Sequence, residues 1–179
     1  MEDNDEILTC VIGAVNEVRA RTLATVDIDL DHGYNCGMSE FTIRPAQADE
    51  EPTIRSMIRA ERLDPFNVHW PNFLVAEADE RIIGVGQIKP YPNGRELGSL
   101  VVMPEYRQNG AGGAIIHALI ARESGPLMLF CLAFRERYYA KFGFRRIGLR
   151  DLPAAFKFKY ALGSLFTRLM RHRLIVMKR

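Results

Sequence analysis

A glycine-rich turn between an apolar stretch and a helical pattern is the part of this sequence best suited to chemistry. Residues 100–102 (Leu-Val-Val) can form a buried strand that stops at Pro104, and a polar turn rich in glycine follows. Residues 115, 116, 119 and 120 then carry apolar side chains at helical spacing. Glycines let successive N–H groups point into one concavity, and a helix N-terminus adds partial positive charge. The segment therefore predicts a site that holds phosphate.

Two familiar phosphate loops do not fit this turn. No Lys-Ser or Lys-Thr pair follows the glycines, which excludes the loop of nucleoside triphosphatases. The dinucleotide-binding fingerprint needs a third glycine at the position that Ile115 occupies. The pattern that remains is Arg107-x-x-Gly110-x-Gly112.

The elements around the turn follow a regular order that predicts a mixed α/β (α+β) fold. The patterns predict strands at 41–44, 73–77, 81–90, 96–102, 127–133, 144–148 and 173–177. They predict helices at 48–62, 111–123 and 135–141, and a segment at 153–171 that is helical or irregular. Asn93-Gly94 is a strong hairpin signal before the fourth strand.

The ends of the chain differ in charge and pattern. Residues 1–40 carry nine acids and two bases, whereas residues 134–179 carry thirteen bases and two acids. The first 40 residues form an N-terminal extension, which is either an extra helix or strand packed on the domain, a homodimerisation element or partly disordered. The basic end lacks an aromatic-and-basic recognition motif, so we expect no nucleic-acid partner.

Composition points to one cytoplasmic globular domain. No apolar run approaches the roughly 18 residues of a membrane span, so we expect no membrane partner. The three cysteines are scattered, and no histidine lies at ligand spacing from a cysteine or another histidine. We therefore expect reduced thiols and no metal.

The glycine turn resembles motif A of the GNAT superfamily, the acetyl-CoA-dependent N-acetyltransferases. Residues 137–144 (Arg-Tyr-Tyr-Ala-Lys-Phe-Gly-Phe) resemble motif B of that family, and residues 41–45 resemble its opening strand. The likeness covers residues 41–179 and not 1–40. Residues 63–65, 86–90 and 95–100 resemble an uncharacterised subgroup of bacterial and plant members. The resemblance implies a mostly antiparallel central sheet with helices on both faces, in which the parallel fourth and fifth strands splay apart.

The resemblance also implies where acetyl-CoA, the acyl donor, would bind. The diphosphate would lie on the backbone of the glycine turn, and the pantetheine arm would pair with the fourth strand. By position, the turn residues are Arg107, Gln108, Asn109, Gly110, Ala111, Gly112 and Gly113, and the strand residues are Leu100, Val101 and Val102.

Two catalytic residues follow from the same resemblance. Glu96 lies eleven residues before Arg107 and matches the base that takes a proton from the acceptor amine, directly or through a water. Its alternative is a solvated strand end paired with Arg95. Tyr139 matches the acid that protonates the departing thiolate, and its alternative is packing of a helix against the sheet. Strand alternation places Ser99 on the opposite face from Glu96.

The acceptor is an amine-bearing small molecule or peptide in this interpretation. Asp64 can attract an ammonium group or can end the first helix, and Phe66 and Trp70 can line a pocket or belong to the core. A second hypothesis is a non-catalytic acyl-CoA-binding sensor or regulatory module.

Overall fold

The computed structural model describes residues 40–64, 66–92, 94–169 and 171–179. The extension predicted for residues 1–40 therefore lies outside the described residues, apart from Glu40. The same holds for Asn93 of the predicted hairpin turn.

One sheet of seven strands organises the described chain. The strands are β1 (Thr42–Pro45), β2 (Phe73–Ala78), β3 (Arg81–Tyr91), β4 (Gly94–Val102), β5 (Leu127–Leu132), β6 (Arg145–Arg146) and β7 (Leu174–Lys178). Their order across the sheet is β1-β2-β3-β4-β5-β7-β6. Every neighbouring pair is antiparallel except β4 and β5, which run parallel. The mixed, mostly antiparallel sheet predicted from the sequence is confirmed.

Four α-helices of the described residues cover both faces of this sheet. They are α1 (Glu51–Ala60), α2 (Ala111–Ala121), α3 (Glu136–Ala140) and α4 (Ala154–Leu169). Helices α2 and α3 pack on one face, over a core that includes Ile115, Leu119 and Leu129. Helices α1 and α4 pack on the other face, where Ile54 of α1 and Phe156 of α4 are fully buried. We call these the α2 face and the α4 face.

Strands β4 and β5 pair over only three positions before they part. The parallel ladder joins Arg95–Leu97 to Leu127–Leu129 and stops there, although β4 continues to Val102 and β5 to Leu132. The register between β3 and β4 shifts where β4 passes Ser99, whose φ of 52° lies in the left-handed region. This bulge bends β4 and re-aims its later half. The gap that opens beyond Leu97 confirms the predicted splay.

One predicted strand is shorter in the structure than in the sequence prediction, and one segment that the sequence left ambiguous is a helix. The strand predicted at 144–148 is reduced to Arg145–Arg146, because the Phe144 N–H bonds the carbonyl of Tyr139 and so closes α3. The segment 153–171, left open as helical or irregular, contains the helix α4.

Close packing of α2 on β3 depends on a glycine at position 86, which gives a first prediction. A Cβ on Gly86 would lie 2.7 Å from Cγ2 of Ile115 and 3.2 Å from Cδ1 of Leu119, both fully buried. We expect Gly86→Ala to lower the free energy of unfolding by about 1–3 kcal/mol, because neither side chain can move without disturbing the core. Urea unfolding of the wild type and of Gly86→Ala measures this difference in free energy.

The matched control is Gly125→Ala, since no atom of the residues that the structure describes lies within 4 Å of a Cβ at Gly125. We expect its unfolding free energy to change by less than about 1 kcal/mol, mainly through the unfolded chain. Equal losses in the two variants would contradict the packing argument.

Candidate active site

The glycine turn presents a row of free backbone donors at the start of α2. Gln108 and Gly110 have φ values of 72° and 81°, so the chain coils tightly before the helix. Within the described part of the chain, the N–H groups of residues 108–113 donate no hydrogen bond, and the first helical bond runs from the Ala114 N–H to the Gly110 carbonyl. A helix N-terminus with free N–H groups attracts anions.

Arg107 is fixed at the entrance of this turn. Its Nε donates to the carbonyl of Val102 at 3.0 Å, and its Nη2 donates to Oε1 of Glu61 at 2.6 Å. The guanidinium therefore ties the end of β4 to the end of α1. The apolar strand residues predicted beside it, Leu100, Val101 and Val102, lie on the stretch of β4 that has left β5.

Glu96 lies at the other end of the gap and is buried in an ion pair. Its side chain belongs to the α4 face, is 5% exposed, and accepts from Lys159 Nζ at 2.7 Å (Oε1) and 2.8 Å (Oε2). The same ammonium donates to Oδ2 of Asp64 at 2.7 Å and lies 3.4 Å from the Tyr91 hydroxyl. The Nζ atom also lies 5.5 Å from the centre of the Phe130 ring. We call Asp64, Tyr91, Glu96 and Phe130 the ammonium cage.

A second buried lysine borders the ammonium cage. Lys89, 1% exposed, donates to Asp64 Oδ2 at 3.1 Å and to the carbonyl of Phe66 at 2.8 Å. Burial and repulsion from Lys159 lower the pKa of Lys89. Burial opposes the charge of Lys159 too, but attraction to Glu96 and the hydrogen bonds to Asp64 and Glu96 raise its pKa above the usual range. Lys159 is therefore a firmly held cation.

Asp64 is the carboxylate of the cage that solvent reaches, with its side chain 34% exposed. Burial alone would raise its pKa, yet the hydrogen bonds from Lys159 and from the Phe66 N–H, with the charges of both lysines, lower it. These ammonium groups belong to the protein's own Lys89 and Lys159, so the attraction of Asp64 for an acceptor's ammonium stays a prediction. Phe66 is 71% exposed and contributes a carbonyl rather than a ring.

Two expectations about β4 were wrong, and one contact of Glu96 was not predicted. Glu96 is not a solvated strand end, and Arg95 pairs with Glu123 instead. Ser99 does not lie opposite Glu96, because the bulge brings its Oγ to 2.9 Å from Nε2 of Gln87, on the α4 face. Lys159 was not predicted, since it lies 63 positions from Glu96 and its helix carried no local motif.

The carboxamide of Gln87 leaves an open acceptor beside the bulge. This side chain is fully buried, and its Oε1 has no hydrogen-bond partner among the described residues. A buried carbonyl oxygen without a partner costs free energy unless a ligand or water bonds it.

Tyr138 and Tyr139 both lie on the α2 face, opposite Glu96. They pack on the core under α2, with ring centres 5.1 Å apart. The Tyr138 hydroxyl reaches the glycine turn, where it would lie 3.1 Å from a Cβ on Gly112. Tyr139 is the more deeply placed of the two, and burial raises its pKa well above the ordinary value. It therefore stays a neutral phenol at physiological pH.

Neither a membrane span nor a metal cluster is found in the described ranges. None of the helices described combines the length and hydropathy needed to cross a bilayer. In the same residues, no three His, Cys, Asp or Glu side chains group as metal ligands would.

Comparisons with known proteins agree with this geometry. Residues 69–146 match the family model of the Acetyltransferase (GNAT) domain. No curated protein sequence matches significantly. The resemblance to the GNAT family is therefore confirmed by the match over residues 69–146 and by the fold.

Several solved structures share the fold at low sequence identity. N-acetylglutamate synthase from Neisseria gonorrhoeae, complexed with coenzyme A and N-acetyl-glutamate, is 19% identical over 78% of this chain with a TM-score of 0.65. This chain spans only about a third (35%) of that synthase. Rv2747 from Mycobacterium tuberculosis, in complex with CoA, is 17% identical, with 75% of this chain and 97% of that chain covered and a TM-score of 0.59. A GNAT-family acetyltransferase from Staphylococcus aureus is 15% identical, with 78% of this chain and 98% of that chain covered and a TM-score of 0.56.

The buried pair of Glu96 and Lys159 gives a second prediction. Removing one partner of a buried pair leaves an uncompensated charge, so we expect Glu96→Gln to lower the unfolding free energy by about 3 kcal/mol. The control Glu61→Gln breaks a pair whose side chains are 46% and 38% exposed, and we expect a loss of at most about 1 kcal/mol. Urea unfolding at neutral pH measures both, and a Glu96→Gln loss no larger than the control would refute the argument.

Proposed function

We propose that this GNAT domain, taken as residues 41–179, moves the acetyl group of acetyl-CoA to a primary amine by direct attack. The observation that carries the proposal is the gap between β4 and β5, with free N–H donors at one end and a cage that holds an ammonium group at the other. Such a gap lets a donor and an acceptor meet from opposite faces of one sheet.

Coenzyme A fits the groups that this chain leaves open. The N–H groups of residues 108–113 suit a diphosphate, and Arg107 stands at the entrance to them. The freed edge of β4 at Leu100, Val101 and Val102 suits the amides of a pantetheine arm. The unpaired Oε1 of Gln87 can accept one further N–H. Two of the structural neighbours were solved in complex with coenzyme A, which supports this assignment.

Glu96 and Tyr139 divide the proton transfers in this proposal. The donor supplies an acetyl group activated as a thioester. Glu96, directly or through a water, takes the proton that the acceptor ammonium must lose before its nitrogen can attack. The nitrogen loses its second proton to solvent as the new C–N bond forms and the C–S bond breaks. Tyr139, neutral because burial raises its pKa, returns a proton to the departing thiolate. Transfer from so weak an acid requires that the thiolate also be desolvated, which raises the pKa of the thiol.

A second candidate is a sensor or regulatory module that binds acyl-CoA without transfer. It is favoured by one observation, that Lys159 occupies both oxygens of Glu96. Thiol release from acetyl-CoA with a panel of amines, amino acids and peptides separates the two candidates. Release that depends on an amine supports transfer, and binding without release supports the module.

A third prediction concerns the glycine turn. A Cβ on Gly113 meets only ordinary contacts, the nearest being Phe142 at 3.6 Å, so substitution there leaves the fold intact. A glutamate at this third helical position can fold back onto the free N–H groups, as in a capping box, and would compete with a diphosphate. We expect Gly113→Glu to weaken acetyl-CoA binding at least ~10-fold by calorimetry.

The uncharged Gly113→Gln is the matched control and should weaken acetyl-CoA binding less than Gly113→Glu does. If Gly113→Glu bound acetyl-CoA with full affinity, the diphosphate could not lie on this turn.

A fourth prediction concerns the acid. We expect Tyr139→Phe to lower kcat at least ~100-fold in the thiol-release assay while the Kd for acetyl-CoA stays nearly constant, because only the phenol proton is lost. Tyr138→Phe removes the neighbouring hydroxyl and should keep most of kcat. If Tyr138→Phe lost turnover and Tyr139→Phe kept it, the role of acid would belong to Tyr138.

A further inference from the structure

The ammonium of Lys159 is held as a substrate ammonium would be held. Its nitrogen lies within 2.8 Å of three carboxylate oxygens from Glu96 and Asp64 and 3.4 Å from the Tyr91 hydroxyl. The rings of Phe130 and Tyr91 lie 5.5 Å and 5.9 Å from it, within the range of cation–π attraction. Carboxylates and aromatic rings around one nitrogen recognise a primary alkylammonium.

The cage stands where the two central strands part. Glu96 pairs with Met128 one position before the last rung of the β4–β5 ladder, and Phe130 follows that rung on β5. Phe130 shares the α4 face with Met128. The nitrogen that the cage holds is therefore at the mouth of the gap proposed for acetyl transfer.

The net charge of the groups around Lys159 Nζ suits a ligand with one positive charge. Without Lys159, the carboxylates of Asp64 and Glu96 and the ammonium of Lys89 leave a single net negative charge. An acceptor with one ammonium and an uncharged stem restores neutrality, whereas an acidic acceptor adds negative charge to a site that already has an excess. The site therefore discriminates against acceptors with a carboxylate near the amine.

The part of α4 around Lys159 leaves several apolar side chains in solvent. Of the α4 side chains whose burial is described, Phe156 alone is buried, whereas Phe158, Leu162 and Leu165 are 56–79% exposed. Because the Lys159 side chain is itself 23% exposed, it can leave the cage by a change of rotamer while Phe156 keeps α4 in place.

We propose that Lys159 is an internal stand-in for the acceptor, and that the ammonium cage binds a primary alkylamine on an unbranched apolar stem once Lys159 has left. This inference rests on the proposed function in taking the cage as the acceptor end of the gap. The amine can belong to a free aliphatic amine or to a lysyl side chain. Asp64, Tyr91 and Phe130 are then specificity residues, and Lys159 competes with the acceptor.

The test uses the full chain with Lys159→Ala, which removes three methylenes and the ammonium, the size of n-propylammonium. At constant pH and ionic strength, we expect n-propylammonium to raise the Tm of Lys159→Ala by at least ~3 °C near saturation. The wild type and Lys157→Ala, which alters an exposed lysine on the same helix, should shift less than Lys159→Ala. Tetramethylammonium should not replace n-propylammonium, because it cannot donate hydrogen bonds. Equal shifts with both salts, or in all three proteins, would overturn the proposal.

Turnover provides the second readout. In the thiol-release assay, we expect Lys159→Ala to lower the KM for n-propylamine and for a lysine-containing peptide about tenfold, because the internal competitor is gone. Glutamate should remain a poor acceptor. Comparison of the two acceptors distinguishes a free amine from a lysyl side chain. Wild-type turnover with unchanged KM values in Lys159→Ala would overturn the inference and leave the proposed function standing.

The two proposals can fail separately. Selective stabilisation of Lys159→Ala by n-propylammonium, with no thiol release from any variant, would support the ammonium site and refute acetyl transfer. If Lys159→Ala does not fold, Lys159→Met keeps most of the stem and leaves a vacancy for ammonium ion. Stabilisation of Lys159→Met by ammonium chloride over sodium chloride then supports the site, and its absence refutes it.

Discussion

The parting of β4 from β5 is the constraint on which the rest of this structure depends. The ladder stops at Leu97 and Leu129, and the bulge at Ser99 turns the later half of β4 away from its neighbour. Beyond that point no strand of the described residues pairs with β4 on its β5 side, and exposed backbone groups in a cleft need a partner. The glycine turn follows one end of this stretch, and the ammonium cage stands at the other. A closed ladder would separate these two features with a continuous sheet.

In the proposed reaction, the two faces of the sheet divide the proton transfers. Tyr139 lies with α2 and the glycine turn on one face, whereas Glu96 lies with α4 on the other. In that reaction the donor that protonates the thiolate and the base that serves the amine reach the reacting carbon from different faces of the sheet. A gap through a sheet provides that separation without requiring either residue to move. Each side chain is positioned by packing on its own face.

Local patterns predicted the features that depend on neighbouring residues. The glycine turn, the strand before it and the helix after it follow from spacing within about fifteen positions, and the sheet class follows from the order of such units. The cage could not be predicted this way, because Asp64, Glu96 and Lys159 meet only after the sheet forms. The orientation of Ser99 also escaped prediction, since one left-handed residue breaks the alternation. The offset of Glu96 from Arg107 marks it as a candidate, whereas Lys159 has no fixed offset from any motif.

The charged groups around Lys159 are better explained by binding than by stability. A buried ion pair contributes little net stability beyond what a well-packed apolar pair would, because desolvation offsets the attraction. Here two carboxylates and two ammonium groups converge from the loop after α1, from β3, from β4 and from α4. A fold under selection for stability alone has no need of four such groups at one place. Asp64 keeps a third of its surface in solvent, so the cluster can be reached from outside. A reachable, charge-balanced site at the mouth of a gap is what exchange of one ammonium for another requires.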